Sequence, residues 1–256
     1  MKISVVTINY NNKEGLLKTI ISVISQTYKE FEFVVIDGLS NDGSVDILND
    51  YKQSISRCVI EKDSGIYDAM NKGVVNSTGD YLLFLNSGDE LFERNTLEKV
   101  VPLLCGEHFV TGREYMHMGE SPLYVIHPPR KVDVDFLVYS SLRHQATFIS
   151  REVFKKNMYD ITYRLVSDWK LELEAIIFGS ASYKPINLIV DKYERDGATL
   201  RNKNAGRIEK EKVLLELLPD KVHLFTQKPS FIRRVLKKIQ RSVWALEAKK
   251  IKKNIQ

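Results

Sequence analysis

An apolar segment from Tyr81 to Leu85 ends abruptly in the polar turn Asn86-Ser87-Gly88-Asp89. A short run of large apolar side chains that stops at a turn is typical of a strand buried on both faces of a parallel sheet. In open α/β sheets, ligands bind in the crevice beyond the carboxyl ends of such strands. The segment therefore predicts an α/β fold with a ligand site at this turn.

Strand-like and helical segments alternate through the first 105 residues. Strands are predicted at Ile3 to Ile8, Phe31 to Ile36, Arg57 to Glu61 and Tyr81 to Leu85. Helices are predicted after an Asn11 or Asn12 cap, from the Ser40–Ser44 turn, at Ile66 to Val75, and from Asn95 or Thr96 to Leu104. This alternation is typical of βαβ units, so we expect a Rossmann-like, mostly parallel sheet flanked by helices.

The second half of the chain is less regular. Phe109 to Gly112 predicts a strand, and Arg207 to Leu218 predicts an amphipathic helix. The glycine and prolines of Met116 to Arg130 favour an irregular loop, and residues 202–206 are predicted to be a linker.

The composition suits a globular chain, because 43% of its 256 residues are hydrophobic, which is enough to bury a core. Only Cys58 and Cys105 occur, each in an apolar setting, which favours buried free thiols in a reducing compartment over disulfides. The N-terminal apolar run is too short for a signal peptide, and no stretch reaches the roughly 18 apolar residues of a membrane span. We therefore expect a cytoplasmic location.

Residues 230–256, called the basic tail below, carry nine lysines or arginines and the single acid Glu247. The tail thus has a charge of +8 within a chain of net charge +5. As a helix, it gathers its apolar side chains on one face, namely Ile232, Val235, Leu236, Ile239, Val243 and Leu246. Such helices lie in anionic membrane interfaces, so we predict peripheral binding to the inner face of the cell membrane. The alternative is a helix docked on its own domain; nucleic acid is not expected, because no reader motif accompanies the charge.

Four sequence blocks follow one another in order: SVVTINYNN, FVVIDGLSNDGS, GIYDAMNKGV leading into GDYLLFLNSGDEL, and HQATFISREVF with VSDWKLELEAI. They extend from Met1 to about Thr199, and together they resemble family 2 glycosyltransferases, which have the nucleotide-sugar-binding fold called GT-A. The resemblance implies a GT-A domain over residues 1–202, with a nucleotide-sugar-binding half (1–105) and an acceptor half (106–202). Residues 203–256 then form a C-terminal helical extension.

For the donor nucleotide, the resemblance implies that Asp37, at the end of the second strand, holds the base. Tyr10 and Asn11 end the neighbouring strand and would form the facing wall of the pocket. Local sequence also allows turn and cap chemistry for Asp37, and for Asp42 that is the interpretation we adopt.

Three further residues are donor candidates. Asp68 and Asn71 lie three residues apart on one face of a predicted helix, within reach of ribose or sugar hydroxyls. Lys72 is a candidate contact for phosphate, with a solvated lysine near a helix C-terminus as the alternative.

Asp89 is the candidate ligand for Mg²⁺ or Mn²⁺. A divalent cation held by a carboxylate neutralises the charge that develops on a diphosphate leaving group. The family usually has Asp-x-Asp at this turn, whereas this chain has one acid there, so Asn86 and Ser87 are predicted as polar contacts to the donor.

Transfer with inversion needs a base that takes the proton of the acceptor hydroxyl. The resemblance implies that Asp168 is this base, and Trp169 offers a flat face on which a sugar ring can stack. The alternatives are a helix cap for Asp168 and a core position for Trp169. The family often has His-Gln near the acceptor or the phosphates, here His144 and Gln145.

The resemblance also implies a loop covering the donor at Asp196 to Thr199, with Arg195 or Arg201 reaching the diphosphate. The sequence thus predicts an inverting hexosyl- or hexosaminyltransferase that uses a nucleoside-diphosphate sugar, preferentially a UDP-sugar. The acceptor is predicted to be a saccharide or lipid-linked saccharide in surface-polysaccharide synthesis. Two alternatives stay open: transfer of a sugar to polyprenyl phosphate, and a non-catalytic subunit that binds a nucleotide-sugar.

Overall fold

The computed structural model describes residues 1–119, 121–194, 203–226 and 231–255. The strands are β1 (Ile3–Asn9), β2 (Phe31–Asp37), β3 (Arg57–Ile60), β4 (Tyr81–Phe84), β5 (Glu90–Leu91), β6 (Phe109–Met118), β7 (Ser121–Ile126), β8 (Thr147–Ser150) and β9 (Tyr183–Glu194). The helices are α1 (Lys13–Ile24), α2 (Ser44–Asp50), α3 (Ile66–Val75), α4 (Thr96–Val100), α5 (Val134–Tyr139), α6 (Arg151–Phe154), α7 (Ser167–Glu172), α8 (Lys203–Leu217), α9 (Val222–Thr226) and α10 (Phe231–Ile255). Helix α7 continues as a π-helical segment, Leu173–Phe178.

The strands form one sheet in the order β3-β2-β1-β4-β8-β6-β9-β5, and β7 pairs with β6. Strands β1 to β4 pair in parallel, which confirms the predicted α/β arrangement of the first half. Strand β8 then joins β4 and β6 in antiparallel orientation, so the complete sheet is mixed. The parallel strands place their carboxyl ends, and the turns that follow them, at one edge of the sheet.

Alternating side chains of the central strands pack against helices on the two faces. On one face, Val5 of β1 and Phe33 of β2 lie in the same apolar cluster as Leu16 and Ile20 of α1. On the other face, Val6 lies in a second cluster that includes Met70 of α3 and Trp169 of α7. Because both faces are covered, the strands read as continuous apolar runs in the sequence.

Two expectations for the second half were wrong. The segment predicted as a loop from Met116 to Arg130 contains the end of β6 and all of β7, joined by a turn in which Gly119 has a φ of 53°. Its glycine and prolines mark the turn and the ends of an edge hairpin, because an edge strand tolerates residues that cannot donate to a ladder. The predicted linker at 202–206 is largely helical, since α8 begins at Lys203.

The cysteine expectation also needs correction, because Cys58 and Cys105 are both free but exposed. Cys58 lies on β3, at the edge of the sheet, where one face of the strand is open. In the described parts of the chain, no helix is both long enough and apolar enough to cross a bilayer.

The basic tail docks on the sheet through a face that the sequence did not single out. Ala248 is fully buried against a cluster that includes Tyr115 of β6 and Val125 of β7. Glu247 accepts from Arg113 Nη1 at 2.7 Å and lies 2.6 Å from His127 Nε2.

In the part of the tail whose side chains are described, the predicted apolar face is not the docked face. Ile239, Val243 and Leu246 are each more than half exposed. Ile232, Val235 and Leu236, which complete that face in the sequence, fall among side chains outside the described set. Docking and an exposed apolar face therefore coexist on one helix, because they use different sides of it.

A buried carboxylate, Glu32 of β2, ties the amino ends of β1, β2 and β4 together. It accepts from Lys2 Nζ at 2.7 Å, from Ser4 Oγ at 2.5 Å, and from the backbone N–H groups of Thr78 and Gly79. Burial opposes ionisation, but these hydrogen bonds outweigh it and lower the pKa of Glu32 to about 2. The ionised side chain thus stabilises the folded state.

We expect Glu32→Gln to lower the free energy of unfolding at pH 7 by about 3 kcal/mol. Because the folded-state pKa is depressed, this stability is present above the ordinary glutamate pKa of 4.5 and is lost as pH falls toward 2. Urea titrations followed by circular dichroism should therefore show a weaker pH dependence below 4.5 for the variant. Glu30→Gln, at an exposed position nearby, is the control; equal stability of the two variants would contradict the assignment.

Candidate active site

The turn after β4 is held by contacts to β1 and α1. The N–H of Ser87 donates to the carbonyl of Ile8 at 3.2 Å, and Gly88 adopts a φ of 108° that glycine tolerates. Thr19 Oγ1 of α1 accepts from the N–H of Gly88 and donates to the carbonyl of Asp89 at 2.7 Å. The turn is thus fixed at the carboxyl edge of the sheet, where the sequence predicts a ligand site.

A continuous series of contacts links Asp89 to Asp168. Asp89 Oδ2 accepts from the backbone N–H of Asn86 at 3.1 Å, and Asn86 Nδ2 lies 3.2 Å from His144 Nε2. His144 Nδ1 in turn lies 3.5 Å from Asp168 Oδ2. The two acids, far apart in sequence, therefore belong to one site, and His144 lies between them.

Asp168 lies in the first turn of α7 and is oriented by two side chains. Tyr67 donates its hydroxyl to Asp168 Oδ1 at 2.7 Å, while Oδ2 faces His144. Burial opposes ionisation of Asp168, but the hydrogen bonds from His144 and Tyr67 prevail and lower its pKa. Asp168 is consequently a carboxylate at neutral pH. Tyr67 was missed as a site residue, although it lies within the block GIYDAMNKGV.

In contrast to Asp168, Asp89 has a raised pKa. Burial raises its pKa to about 7, and the positive influence of His144 only partly offsets that effect. Gln145 also hydrogen-bonds to Asp89, which places both residues of the predicted His-Gln pair in the site. Nearby positive charge would therefore be needed to ionise Asp89 fully.

Two more buried acids, missed by sequence reasoning, lie on paired strands near Asp89. Glu114 of β6 and Asp191 of β9 are opposite each other in the sheet and almost fully buried. Burial raises the pKa of both groups, and that of Asp191 is held well above its usual range. Within the described parts of the chain, neither oxygen of Asp191 has a hydrogen-bond partner. Glu114 Oε1 also has none, and it lies 3.7 Å from Arg143 Nε. The sequence signal that could have identified Asp191 is an acid directly after the apolar pair Ile189-Val190 within a strand.

The turn after β4 carries oxygen atoms that suit a hard cation. Asn86 Oδ1 and Ser87 Oγ are buried and have no hydrogen-bond partner among the residues that the structure describes. A buried unpaired oxygen is costly, and a cation can satisfy it. Within the described residues, no three Asp, Glu, His or Cys side chains form a metal-binding cluster. The donor set of Asp89, Asn86 and Ser87 therefore fits Mg²⁺ or Mn²⁺ that takes its other ligands from phosphate and water.

The predicted base-binding residue, Asp37, is fully buried and organises its own turn. Its Oδ2 accepts from Asn9 Nδ2 at 2.7 Å and from Ser40 Oγ at 2.8 Å, while Oδ1 accepts from the N–H of Ser40. This is the turn chemistry that the sequence left open for this carboxylate. A contact of Asp37 with a nucleotide base stays a prediction.

Tyr10 and Asn11 lie beside the Asp37 turn, and their role as a wall of the nucleotide pocket stays a prediction. Tyr10 is largely exposed, and its ring lies beside Gly38, where a β-carbon would come within 3.2 Å of it. Asn11 binds the neighbouring loop, because its N–H donates to Ser40 Oγ at 2.8 Å. Asp42 accepts from the backbone N–H of Lys13, in keeping with the cap interpretation.

Of the three donor candidates on helix α3, Asp68 is the one that borders a cleft. Asp68 accepts from the N–H of Ser64 and borders a cleft of about 160 Å³ lined also by Gly65, Tyr67 and Arg164. Asn71 points away from this cleft, because both polar atoms of its amide bind the backbone of Tyr159.

Lys72 pairs with Glu61 at 2.9 Å and donates to the carbonyl of Lys62. The sugar contact of Asn71 and the phosphate contact of Lys72 gain no support from this geometry. They stay predictions.

The prediction that Trp169 stacks on a sugar ring was wrong. Its ring is only 1% exposed, and Nε1 donates to the carbonyl of Leu137 at 2.7 Å. A ring buried in the core between α5 and α7 cannot present its face to a substrate. The loop at Asp196 to Thr199, with Arg195 and Arg201, lies outside the described residues.

Curated proteins of similar sequence are glycosyltransferases. A PGL/p-HBAD biosynthesis glycosyltransferase of Mycobacterium bovis is 32% identical over 185 residues, covering 69% of this chain and 70% of that protein. TuaG of Bacillus subtilis, a putative teichuronic acid biosynthesis glycosyltransferase, is 32% identical over 141 residues, covering 52% of this chain and 55% of TuaG.

Solved structures share the fold. TarS 1-349 of S. aureus in complex with UDP-GlcNAc superposes with a TM-score of 0.65 at 16% identity, covering 89% of this chain and 74% of that chain. The mannosyltransferase PcManGT of Pyrobaculum calidifontis, in complex with GDP-Man and Mn²⁺, gives a TM-score of 0.63 at 16% identity, covering 98% and 73%. The family model described as glycosyl transferase family 2 matches residues 4–161, more than half of the sequence. The chain therefore belongs to glycosyl transferase family 2.

Proposed function

We propose that this protein is an inverting glycosyltransferase that moves a sugar from a nucleoside-diphosphate donor to a saccharide or lipid-linked acceptor in cell-surface polysaccharide synthesis. The observation that carries the proposal is the series of contacts from Asp89 through Asn86 and His144 to Asp168. It joins a candidate phosphate-and-metal side to an ionised carboxylate within one site. The relatives named for PGL/p-HBAD and teichuronic acid biosynthesis support the choice of product class.

Asp168 acts as the base in this proposal. Tyr67 donates to Oδ1 and His144 faces Oδ2. A remaining lone pair of Oδ2 receives the proton of the acceptor hydroxyl as the hydroxyl oxygen attacks the anomeric carbon and the diphosphate departs. His144 Nδ1 donates to Asp168, which fixes the direction of the carboxylate. A carboxylate with a depressed pKa and a fixed orientation is suited to accept a proton only when the acceptor is in place.

Asp89, Asn86 and Ser87 hold the divalent cation. When bound, the cation supplies positive charge that stabilises the departing diphosphate. Tyr10 and the Asp37 turn border the nucleotide, and Asp68 faces the donor across the cleft that it lines. UDP-GlcNAc and GDP-Man in the structural neighbours support a nucleoside-diphosphate sugar as the ligand class.

A non-catalytic subunit that binds a nucleotide-sugar is the second candidate, because the turn after β4 has a single acid. The isolated protein separates the two candidates. An enzyme of this class should slowly hydrolyse its donor in the absence of acceptor, whereas a binding subunit should not.

We expect Asp168→Asn to lower turnover by about 10² to 10⁴-fold while leaving donor affinity near that of the wild type. The amide keeps the shape of the side chain but cannot take a proton. A thermal-shift screen of UDP-, GDP- and dTDP-sugars with Mn²⁺ identifies the donor, and nucleotide release then measures turnover. Asp50→Asn, at an exposed position on α2, is the control. Retained turnover in Asp168→Asn would remove the base assignment.

We expect Asp89→Asn to weaken donor binding roughly tenfold or more in the presence of Mn²⁺, because the cation loses its charged ligand. With EDTA, the variant and the wild type should bind the donor with similar affinity. Isothermal titration under both conditions makes the comparison. A wild-type affinity that does not depend on the metal would contradict the role of Asp89.

The same proposal includes the membrane. The exposed Ile239, Val243 and Leu246 lie on a docked helix that also exposes Lys238, Arg241, Lys249 and Lys250. An apolar face bordered by cations complements an anionic bilayer surface, and each cation near that surface contributes about 1 kcal/mol. We infer that the basic tail holds the enzyme at the inner face of the membrane.

We expect Ile239→Ser/Val243→Ser/Leu246→Ser to reduce co-sedimentation with phosphatidylglycerol vesicles by at least about tenfold. This variant is preferable to truncation, because removing the tail would uncover Tyr115 and Val125. Val75→Ser, on an exposed part of α3, serves as the control. Equal sedimentation of the triple variant and the wild type would rule out binding through this face.

A further inference from the structure

A pocket of about 420 Å³ lies between the start of α7 and the two helices α8 and α9. Its lining residues come from outside the segment that matches the family model, and they are Leu165, Val166, Gly206, Arg207, Lys210 and Phe225. Val166 is two residues before Asp168 in the chain. The pocket therefore lies next to the candidate base and outside the segment that the family model matches.

The lining combines two cations with apolar walls. Lys210 Nζ lies 4.6 Å from the centre of the Trp169 ring, and Arg207 is exposed one turn earlier on α8. Neither Arg207 nor Lys210 forms an ion pair with a described residue. Leu165 and Phe225 supply apolar surface beside them, and Leu165 is partly exposed. Cations without ion pairs in a partly apolar pocket complement an anionic group attached to a hydrocarbon chain.

The environment of Lys210 favours an anion there. Burial lowers the pKa of Lys210, and the negative charges of Glu172 and Asp168 only partly compensate. Arg143 adds positive charge on the same side. An incoming phosphate would supply the missing negative charge and stabilise the ammonium group.

We propose that this pocket binds the phosphate or diphosphate of a lipid-linked acceptor. Arg207 and Lys210 contact the anion, and Leu165 and Phe225 contact the adjoining carbons of the lipid. The inference rests on the proposed function and deepens it, because it selects an acceptor that carries both phosphate and lipid over a free saccharide. The exposed apolar face of the basic tail is consistent with such a substrate, since lipid-linked acceptors reside in the membrane.

The test uses the full-length protein saturated with UDP and Mn²⁺, so that the donor site is occupied. Farnesyl diphosphate serves as the probe that has both features, pyrophosphate as the anion without a chain, and farnesol as the chain without an anion. Isothermal titration should show the tightest binding for farnesyl diphosphate. Arg207→Gln/Lys210→Gln should weaken that binding at least tenfold, whereas Lys212→Gln, an exposed lysine on the same helix, should not.

Several outcomes would overturn the inference. Binding of farnesyl diphosphate that the double variant leaves unchanged would exclude this pocket, as would an equal loss in Lys212→Gln. Pyrophosphate binding as tightly as farnesyl diphosphate would indicate an anion site with no preference for lipid. Because the probe measures binding rather than transfer, a failure here leaves the Asp168→Asn result intact, and the proposed function is judged separately.

Discussion

The position of His144 between Asn86 and Asp168 is the constraint on which the site depends. Asn86 belongs to the turn after β4, and Asp168 belongs to the first turn of α7, so the imidazole joins the two halves of the chain. Without it, the buried Asp89 and the ionised Asp168 would be two unrelated carboxylates. The antiparallel strand β8, which begins three residues after His144, anchors this connection by pairing with β4.

The parallel half of the fold was predictable, because its central strands β1, β2 and β4 are buried on both faces and each ends at a turn. Tyr81 to Leu85 shows this clearly, since the apolar run and the polar turn correspond to β4 and the site edge. The hairpin of β6 and β7 was not predictable in the same way. Its edge strand contains Pro122, and local signals cannot distinguish the end of an edge strand from a loop.

The same distinction applies to the candidate site: some of its residues could be predicted from local sequence, and others depend on packing between distant segments. Sequence motifs identified Asp89, His144 and Asp168, whose chemistry is visible in the residue type. Whether an aromatic side chain faces a substrate depends on packing from distant segments, so the prediction for Trp169 was wrong. For the same reason, the role of Tyr67 and the juxtaposition of Glu114 with Asp191 became visible only in three dimensions.

The attachment of the C-terminal helix has a mechanical consequence. Glu247 joins that helix to Arg113 on β6 and to His127 just beyond β7, so it is fastened to the sheet at two points. If this helix binds lipid as proposed, the two attachments would make it a rigid support rather than a flexible tether. It would then hold the site at one height and tilt above the bilayer, and so limit which acceptor hydroxyls come within reach.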